Sequence, residues 1–329
     1  MQDSKILVTG GIGFIGSHLV QNLMDRGCSN ITIYDNYDDF YPGKEENAKI
    51  VEDAAAKTGT KLNLIRGDIL DYDHLSKAMK GSDLAFHLAA QAGIRYCNEM
   101  PLKANRVNVD GTLNVLTAAR EHGIKKLVYA SSSSIFGDPA YLPIDEKHQT
   151  NPNSPYGVSK LAAEQYCRVF AKVYGMNVSC LRYFSVYGPR GRPDQVIYAF
   201  AENIAKGKAP IIFGDGEQTR DFIFVSDVVD ATILAMESGV KTGEVFNVGH
   251  GSRITINELV KKVITYMRSA SGTVKPAVYQ EKSRGDFPDT EANNEKARKL
   301  LGWNPRVMVD EGLKLFFDWF LRERIGPRS

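Results

Sequence analysis

The sequence predicts an α/β protein built on a doubly wound parallel sheet, with a smaller C-terminal α/β domain. Two observations predict this fold. Short apolar, β-branched segments alternate with amphipathic segments through the first half of the chain, which is the pattern of consecutive β-α-β units. A glycine-rich turn at residues 10–16 (GGIGFIG) also separates the first apolar segment from the first amphipathic one, where folds of this class bind nucleotide phosphates.

Each element is predicted from its own segment. Lys5–Thr9 (KILVT) has the composition of a buried strand, and Phe14–Asp25 has the periodicity of a helix. Further strands are predicted at 30–35, 63–68, 84–88 and 126–130, each after a helical pattern. Glycine and proline interrupt the pattern after about residue 185, before a helix at 225–238 and a strand at 244–248. We therefore assign residues 1–185 and 226–250 to a dinucleotide-binding domain, and 186–225 and 251–329 to a substrate-binding domain.

Composition excludes several classes of protein. The 41 basic and 39 acidic residues give a net charge of +2, which argues against a broad cationic surface for nucleic acid or anionic membranes. No segment approaches the roughly 18 apolar residues of a membrane-spanning helix, and the N-terminus lacks a signal-peptide pattern. The four cysteines and six histidines show no ligand spacing. We expect a cytoplasmic enzyme or binding protein without a metal.

The glycine turn and an acidic residue together predict an NAD site. Gly10 permits the tight turn, Gly13 lets the backbone approach a pyrophosphate, and Gly16 lets the helix pack against the strand. Asp35 ends the next predicted strand, 19 residues after Gly16, close to the roughly 20 expected for an acid that binds ribose. An acid here favours the free 2′-hydroxyl of NAD over the 2′-phosphate of NADP.

Two further segments lie at predicted strand ends. Asp68 follows the third strand, where it could hold the adenine amino group or act as a helix N-cap before Leu70. The residues Leu88, Ala89 and Ala90 form a small-residue strand end on which a cofactor could lie. The sequence leaves both roles of Asp68 open.

Tyr156 and Lys160 form the candidate reactive pair. Their i, i+4 spacing places them on one face of a helix. A neighbouring ammonium and a cationic nicotinamide both favour the phenolate, so they lower the tyrosine pKa from about 10. Four serines, 131–134, follow the preceding strand, and one of them could share a substrate oxygen with Tyr156. The alternative for these serines is a solvated turn.

These motifs resemble the extended short-chain dehydrogenase/reductase family, whose nucleotide-binding sheet is the Rossmann fold, and within it the nucleotide-sugar epimerases. The resemblance rests on TGGIGFIG (9–16), Asp35, NRVNVDGT (105–112), SSSSIFG (131–137), YGVSK (156–160), LRYFSVYG (181–188), FGDGEQTRDF (213–222) and RGD (284–286). It covers nearly the whole chain. The resemblance implies that Ser132, Tyr156 and Lys160 are catalytic and that the cofactor is NAD.

The resemblance also extends the two sets of binding residues. We expect NAD to contact Gly10, Gly13, Phe14, Ile15, Gly16, Asp35, Asn36, Asp68, Ile69, Leu88, Ala89, Ala90, Gln91, Asn108, Tyr156, Lys160, Tyr183 and Val186. We expect a UDP-sugar to contact Arg95, Ser132, Ser133, Ser134, Ser185, Arg192, Ile197, Phe213, Gln218, Arg220, Arg284 and Asp286. Among these, the arginines suit a diphosphate or a carboxylate, Phe213 could flank uracil, and the family match gives Asp286 the ribose.

The resemblance also implies a substrate. The related 4,6-dehydratases carry an Asp-Glu pair where this chain has Ser133 and Ser134, so elimination of water is not expected. Residues 89–96 (AAQAGIRY) and 182–194 (RYFSVYGPRGRPD) resemble UDP-glucuronate 4-epimerases. In that group Arg192 would face the sugar carboxylate. Position 185 is usually Thr there and Asn in UDP-glucose 4-epimerases, so Ser185 favours glucuronate without deciding it.

The expected activity is therefore epimerisation of UDP-glucuronate at C4 through a 4-keto intermediate. The alternatives are a 4-epimerase of UDP-glucose or UDP-N-acetylglucosamine, a UDP-glucuronate decarboxylase, and a non-catalytic NAD-binding protein. The resemblance also implies a homodimer through helices at 99–119 and 158–174.

Overall fold

The computed structural model describes residues 1–240, 242–281 and 289–325. Its strands are β1 (Lys5–Thr9), β2 (Asn30–Asp35), β3 (Lys61–Arg66), β4 (Leu84–His87), β5 (Lys126–Ser132), β6 (Val178–Tyr183), β7 (Ser185–Tyr187), β8 (Ile211–Phe213), β9 (Thr219–Arg220), β10 (Phe222–Phe224), β11 (Glu244–Val248), β12 (Ile254–Thr255) and β13 (Val278–Gln280). Its α-helices are α1 (Phe14–Asp25), α2 (Lys44–Thr58), α3 (Tyr72–Met79), α4 (Ile94–Glu99), α5 (Pro101–Asn105), α6 (Gly111–Glu121), α7 (Pro155–Tyr174), α8 (Val196–Ala205), α9 (Val225–Glu237), α10 (Ile256–Ser271), α11 (Glu295–Leu301) and α12 (Val309–Phe320). Arg106–Asp110 and Leu321–Ile325 are π-helical, and Ser133–Ile135 is a 3-10 turn.

Seven parallel strands form the central sheet, in the order β11-β6-β5-β4-β1-β2-β3. The chain first builds outward from β1 through β2 to β3, and then continues on the other side of β1 with β4. Because this reversal leaves a crevice at the carboxyl ends of β1 and β4, it is where a doubly wound sheet binds its ligand. The predicted α/β doubly wound fold is confirmed.

Both faces of the sheet are buried. In β1, Ile6 and Val8 belong to one apolar core and Leu7 to another, as expected when successive side chains point to opposite faces. The first core includes Leu19 of α1 and Val228 of α9. The second core includes side chains of α3, α6 and α7. The buried sheet is therefore a rigid support for the loops that follow its strands.

The predicted elements agree closely with the observed ones. β1, β2 and α1 have the predicted bounds, whereas the third strand lies two residues earlier, at Lys61–Arg66. The strand predicted at 244–248 returns to the central sheet and pairs with β6. β6 itself was not predicted. The division into two domains stays a prediction.

In the described part of the chain, three two-stranded sheets lie outside the central one, pairing β7 with β10, β8 with β13 and β9 with β12. β7 follows directly from the end of β6, and β10 leads into α9. The additional sheets therefore place side chains from residues 185–222 opposite the carboxyl ends of the central strands. Within the described ranges, every helix is too short or too polar to cross a membrane.

Candidate active site

The glycine turn brings the backbone of β1 and α1 against the neighbouring strand end. Gly10 has a left-handed φ of 72°, and a Cβ there would lie 2.7 Å from the backbone nitrogen of Ala89. A Cβ on Gly16 would overlap the Gly10 carbonyl oxygen. Gly13 is the N-cap of α1 and makes no side-chain cap, and Gly13 and the first three residues of the helix line the cavity. This turn fits the phosphates of a dinucleotide.

Asp35 lies at the end of β2 and is 4% exposed. Its carboxylate accepts hydrogen bonds from the backbone N–H of Tyr37 at 3.0 Å and of Ile12 at 3.4 Å, and pairs with Lys44 at 3.5 Å. These contacts hold the carboxylate at the wall of the cavity. Its placement fits the predicted ribose contact.

Asp68 also lines this cavity. One carboxylate oxygen accepts the N–H of Leu70 at 2.9 Å, and the other accepts the side-chain amide of Asn36 at 3.2 Å. The N-cap of α3 is Asp71, which accepts the N–H of His74 at 3.1 Å. The N-cap alternative for Asp68 is therefore wrong, and contact with adenine stays a prediction.

Asn108 lies behind the cavity wall. Its side-chain oxygen accepts the N–H of Gln91 at 2.7 Å, and its amide donates to the Gln91 carbonyl at 3.0 Å and to the Ser159 hydroxyl at 2.9 Å. Asn108 belongs to the π-helical turn Arg106–Asp110, a distortion that occurs often at functional sites. Because Asn108 does not line the cavity, it acts by joining the end of β4 to the helix that carries Tyr156.

The three predicted catalytic residues meet at the ends of β5 and α7. The Ser132 hydroxyl acts on Tyr156 in the direction that lowers the pKa of its phenol, and it donates a hydrogen bond to the Ser134 hydroxyl at 3.1 Å. The Lys160 ammonium donates to the Ala130 carbonyl and lies 4.3 Å from the centre of the Tyr129 ring. All three predicted residues line the cavity, so the structure brings them together.

The close contact between α7 and the 3-10 turn that follows β5 depends on Gly157. A Cβ on this residue would overlap the carbonyl oxygen of Ser134. α7 begins at Pro155, and the Ser154 hydroxyl accepts the N–H of Gly157 at 3.1 Å. The sequence analysis gave no role to Gly157. A glycine directly after Tyr156 could have indicated a close approach of the helix to another part of the backbone.

Burial sets the protonation of the reactive pair. It raises the pKa of Tyr156 above its ordinary value of 10, while the nearby Arg192 guanidinium and the Ser132 hydroxyl act in the opposite direction. Burial also lowers the pKa of Lys160 to about 8. Tyr156 is therefore a neutral phenol at neutral pH in the absence of a cofactor, and a cationic ring beside it would favour the phenolate.

A buried ion pair lies beneath these residues and was missed by the sequence analysis. Glu164 and Arg182 form a bidentate pair at 2.7 and 3.0 Å, and the Ser131 hydroxyl donates to the same carboxylate at 2.7 Å. Glu164 is one helical turn beyond Lys160. The i, i+4 spacing of Lys160 and Glu164 could have indicated that Glu164 lies on the same buried face of the helix.

Most of the predicted site residues line one cavity, whose volume is about 620 Å³. Its lining includes Gly10, Gly13, Phe14, Ile15, Gly16, Asp35, Asn36, Asp68, Ile69, Leu88, Ala89, Ala90, Gln91, Arg95, Ser132, Ser134, Tyr156, Lys160, Tyr183, Ser185, Val186, Arg192, Ile197, Phe213, Gln218 and Arg220. Ser133 and Asn108 are outside this lining. Arg284 and Asp286 lie outside the described residues. A single cavity thus joins the predicted cofactor and substrate residues.

Arg192 is paired with a carboxylate that was not predicted. Its guanidinium makes a bidentate contact with Asp194, with both N–O distances 2.9 Å. Burial opposes ionisation of Asp194, but Arg192 outweighs it and lowers the pKa of that carboxyl below its ordinary value. The Arg95 guanidinium, which also acts electrostatically on Asp194, lies 3.9 Å from the centre of the Phe213 ring. Both arginines therefore have partners that a substrate would have to share or replace.

Comparison with known proteins places this site in a family. Residues 6–249 match the model of the NAD dependent epimerase/dehydratase family. A putative UDP-glucose 4-epimerase from Methanocaldococcus jannaschii is 36% identical over 319 residues, covering 95% of this chain and 97% of that protein.

Two solved structures are similar over almost their whole length. One is the UDP-N-acetylglucosamine 4-epimerase from Methanobrevibacter ruminantium, with 34% identity, a TM-score of 0.86, and coverage of 98% of this chain and 99% of that one. The other is a mutant UDP-glucuronic acid 4-epimerase from Bacillus cereus in complex with NAD and a fluorinated UDP-glucuronic acid. Its identity is 33% and its TM-score is 0.88, with 96% of this chain and 98% of that one covered. The chain therefore belongs to the NAD dependent epimerase/dehydratase family of extended short-chain dehydrogenases/reductases, as an NAD-dependent nucleotide-sugar 4-epimerase.

Proposed function

We propose that this enzyme interconverts UDP-glucuronate and UDP-galacturonate by epimerisation at C4. The observation that carries the proposal is the Arg192 guanidinium, which lines the same cavity as Tyr156 and acts electrostatically on its hydroxyl. An arginine binds a planar carboxylate through two parallel hydrogen bonds. The buried Ser134 and half-buried Ser185 line the same cavity and can add neutral hydroxyl donors.

The Arg192–Asp194 pair bears directly on substrate choice. When glucuronate binds, its carboxylate can take one face of the guanidinium from Asp194, so one charge-assisted pair replaces another. A neutral hydroxymethyl group cannot make this exchange, and it would leave the pair intact. The intact pair is therefore the observation that favours the second candidate, a 4-epimerase of UDP-glucose or UDP-N-acetylglucosamine.

Tyr156 is the residue through which the proton moves. Bound NAD supplies the acceptor for the C4 hydride and later returns that hydride to the opposite face of the sugar. The Tyr156 oxygen takes the proton of the 4-hydroxyl group, and the Ser132 hydroxyl, which lines the same cavity, can bind the same sugar oxygen. Lys160 favours the phenolate by its charge. When the hydride returns, Tyr156 gives the proton back, so the enzyme ends each cycle unchanged.

The pocket must also protect the intermediate. Oxidation of glucuronate at C4 gives a β-keto acid, which loses carbon dioxide when the bond to the carboxylate aligns with the carbonyl π-system. Arg192, Ser134 and Ser185 can hold the carboxylate away from that alignment. Arg220 lines the cavity, and it can hold the diphosphate while the sugar turns over.

The test compares two substrates in the wild-type enzyme and in an Arg192→Leu variant. We expect the wild type to convert UDP-glucuronate to UDP-galacturonate without releasing a UDP-pentose. Hydrogen bonds to a charged group contribute about 1.5–3 kcal/mol, so we expect the variant to lose roughly 10- to 150-fold in kcat/KM for UDP-glucuronate. Any turnover of UDP-glucose should change much less.

Asp194→Asn is the matched control. It keeps the shape of the pair and removes the competing charge, so we expect it to retain UDP-glucuronate turnover. Turnover of UDP-glucose or UDP-N-acetylglucosamine by the wild type, with none of UDP-glucuronate, would establish the second candidate instead. Release of a UDP-pentose as the main product would identify a decarboxylase.

We also propose that the enzyme is a homodimer, through the exposed face of α7 and the adjacent α5. Val158, Val169 and Val173 are about half exposed or more, and their spacing places them along one side of α7. Leu102 on α5 is 81% exposed. A second copy of the same helix would cover this stripe by two-fold pairing.

Light scattering on the purified protein tests this assembly. We expect twice the chain mass for the wild type and a monomer for a Val169→Glu/Val173→Glu variant. Leu300→Glu, at an exposed leucine on α11, is the control and should remain dimeric. A monomeric wild type would refute the proposal.

A further inference from the structure

An aromatic segment, residues 36–43, connects β2 to α2 and lies beside the glycine turn. Left-handed backbone conformations occur at Tyr37, with a φ of 57°, and at Gly43, with a φ of 109°. The segment is anchored at its centre, because Asp38 pairs with Lys103 of α5 at 2.9 Å. The ring of Phe40 packs edge-on against Tyr96 of α4, with 4.7 Å between the ring centres. These contacts hold the segment along the cavity wall.

Within this segment, the Tyr41 hydroxyl lies at the N-terminus of α1. Its oxygen accepts the backbone N–H of Phe14, the first residue of that helix, at 3.0 Å. A Cβ on Gly13 would lie 3.6 Å from the same hydroxyl oxygen. The first N–H groups of such a helix are the ones that bind the phosphates of a dinucleotide. Tyr41 therefore meets α1 at the phosphate-binding end of the cofactor site.

The chemistry of this hydroxyl suits a phosphate. Burial raises the pKa of Tyr41 to about 12, so the phenol keeps its proton at neutral pH. Among the residues that the structure describes, the hydroxyl accepts one hydrogen bond and has no acceptor for its own proton. A neutral phenol with an unused donor can bind an anionic oxygen without charge repulsion.

Two cations act near the Tyr41 ring, and each of them is paired with a carboxylate. The Lys44 ammonium is 5.9 Å from the ring centre, and it pairs with the ribose candidate Asp35. The Arg192 guanidinium acts electrostatically on the Tyr41 hydroxyl from the substrate side. Tyr41 thus lies where the cofactor and substrate parts of the cavity meet.

We propose that Tyr41 is a ligand of the NAD pyrophosphate. The Tyr41 oxygen accepts the Phe14 N–H at 3.0 Å. In the complex a phosphate oxygen takes that N–H, and the Tyr41 hydroxyl donates its proton to the phosphate. The same hydroxyl can therefore accept from the helix N-terminus and donate to the cofactor.

Binding measurements with truncated ligands test this role without relying on turnover. NAD and ADP contain the pyrophosphate, whereas adenosine contains only the part that lies toward Asp35. We expect Tyr41→Phe to raise the dissociation constants of NAD and ADP, measured calorimetrically on cofactor-free protein, by about tenfold or more. The dissociation constant of adenosine should be unchanged. Tyr37→Phe, which removes a hydroxyl from the same segment, is the control and should bind all three ligands like the wild type.

The outcomes separate ligand contact from support of the loop. An equal loss for adenosine and for NAD would refute the proposal, because it would mean that the segment had lost its structure. Unchanged NAD binding would also refute it. Tighter NAD binding would show that Tyr41 competes with the cofactor, which contradicts the proposal. The melting temperature of the ligand-free variants verifies that they are folded, and none of these results depends on which sugar the enzyme prefers.

Discussion

Replacing Glu164 with alanine is the sharpest test of how the catalytic groups are supported. The change leaves the Arg182 guanidinium, which is 3% exposed, without its carboxylate, and it removes the acceptor of the Ser131 hydroxyl. Removing one partner of a buried ion pair costs about 3–5 kcal/mol. Arg182 keeps a hydrogen bond to the Glu146 carbonyl at 3.3 Å and a contact with the Phe136 ring at 4.9 Å. We therefore expect the free energy of unfolding to fall by about 3 kcal/mol, toward the lower end of that range.

Urea denaturation measures this change. The double variant Glu164→Ala/Arg182→Met removes the isolated charge along with its partner, so we expect it to recover at least about 1 kcal/mol relative to the single variant. Glu202→Ala is the matched control, because Glu202 forms an exposed pair with Lys206 at 3.0 Å and should cost less than about 1 kcal/mol. A loss below about 1 kcal/mol for Glu164→Ala, or a double variant less stable than the single one, would refute the reasoning.

Two further predictions concern Lys160 and the glycine turn. Because burial lowers the pKa of Lys160 to about 8 from 10.5, the folded protein releases this proton before the unfolded chain does. The free energy of unfolding of the wild type, measured relative to Lys160→Met by urea denaturation, should therefore rise by up to about 3 kcal/mol between pH 8 and 10.5; a flat difference would contradict this. Gly16→Ala should weaken NAD binding at least about tenfold in calorimetric titration, because the new Cβ overlaps the Gly10 carbonyl and displaces the start of α1. Gly239→Ala meets no atom within 4 Å and should bind NAD normally, so equal effects of the two substitutions would count against this explanation.

The parts of the molecule that the sequence predicted are those with local signals. The glycine turn, Asp35 and the Tyr156–Lys160 pair are each defined by spacing along the chain, and β1, α1 and β2 around the first two have the predicted bounds. β6 was missed because its sequence, VSCLRY, contains serine, cysteine and arginine. A buried arginine is compatible with a central strand only when a distant carboxylate neutralises it, and Glu164 is 18 residues away.

Sequence alone predicted the fold class and an NAD site, because glycine conformation, helix periodicity and strand-end chemistry act over short stretches of chain. The nucleotide-sugar chemistry was implied by the resemblance of the motifs to a known family. Tertiary structure alone decided which groups pair across the cavity. Arg192 was expected to be available to the substrate, whereas the fold pairs it with Asp194. Asn108 was expected to touch the cofactor, whereas it joins Gln91 to Ser159 behind the wall. Such pairings depend on the distances and burial of side chains on separate elements, and only the packed sheet and helices fix these.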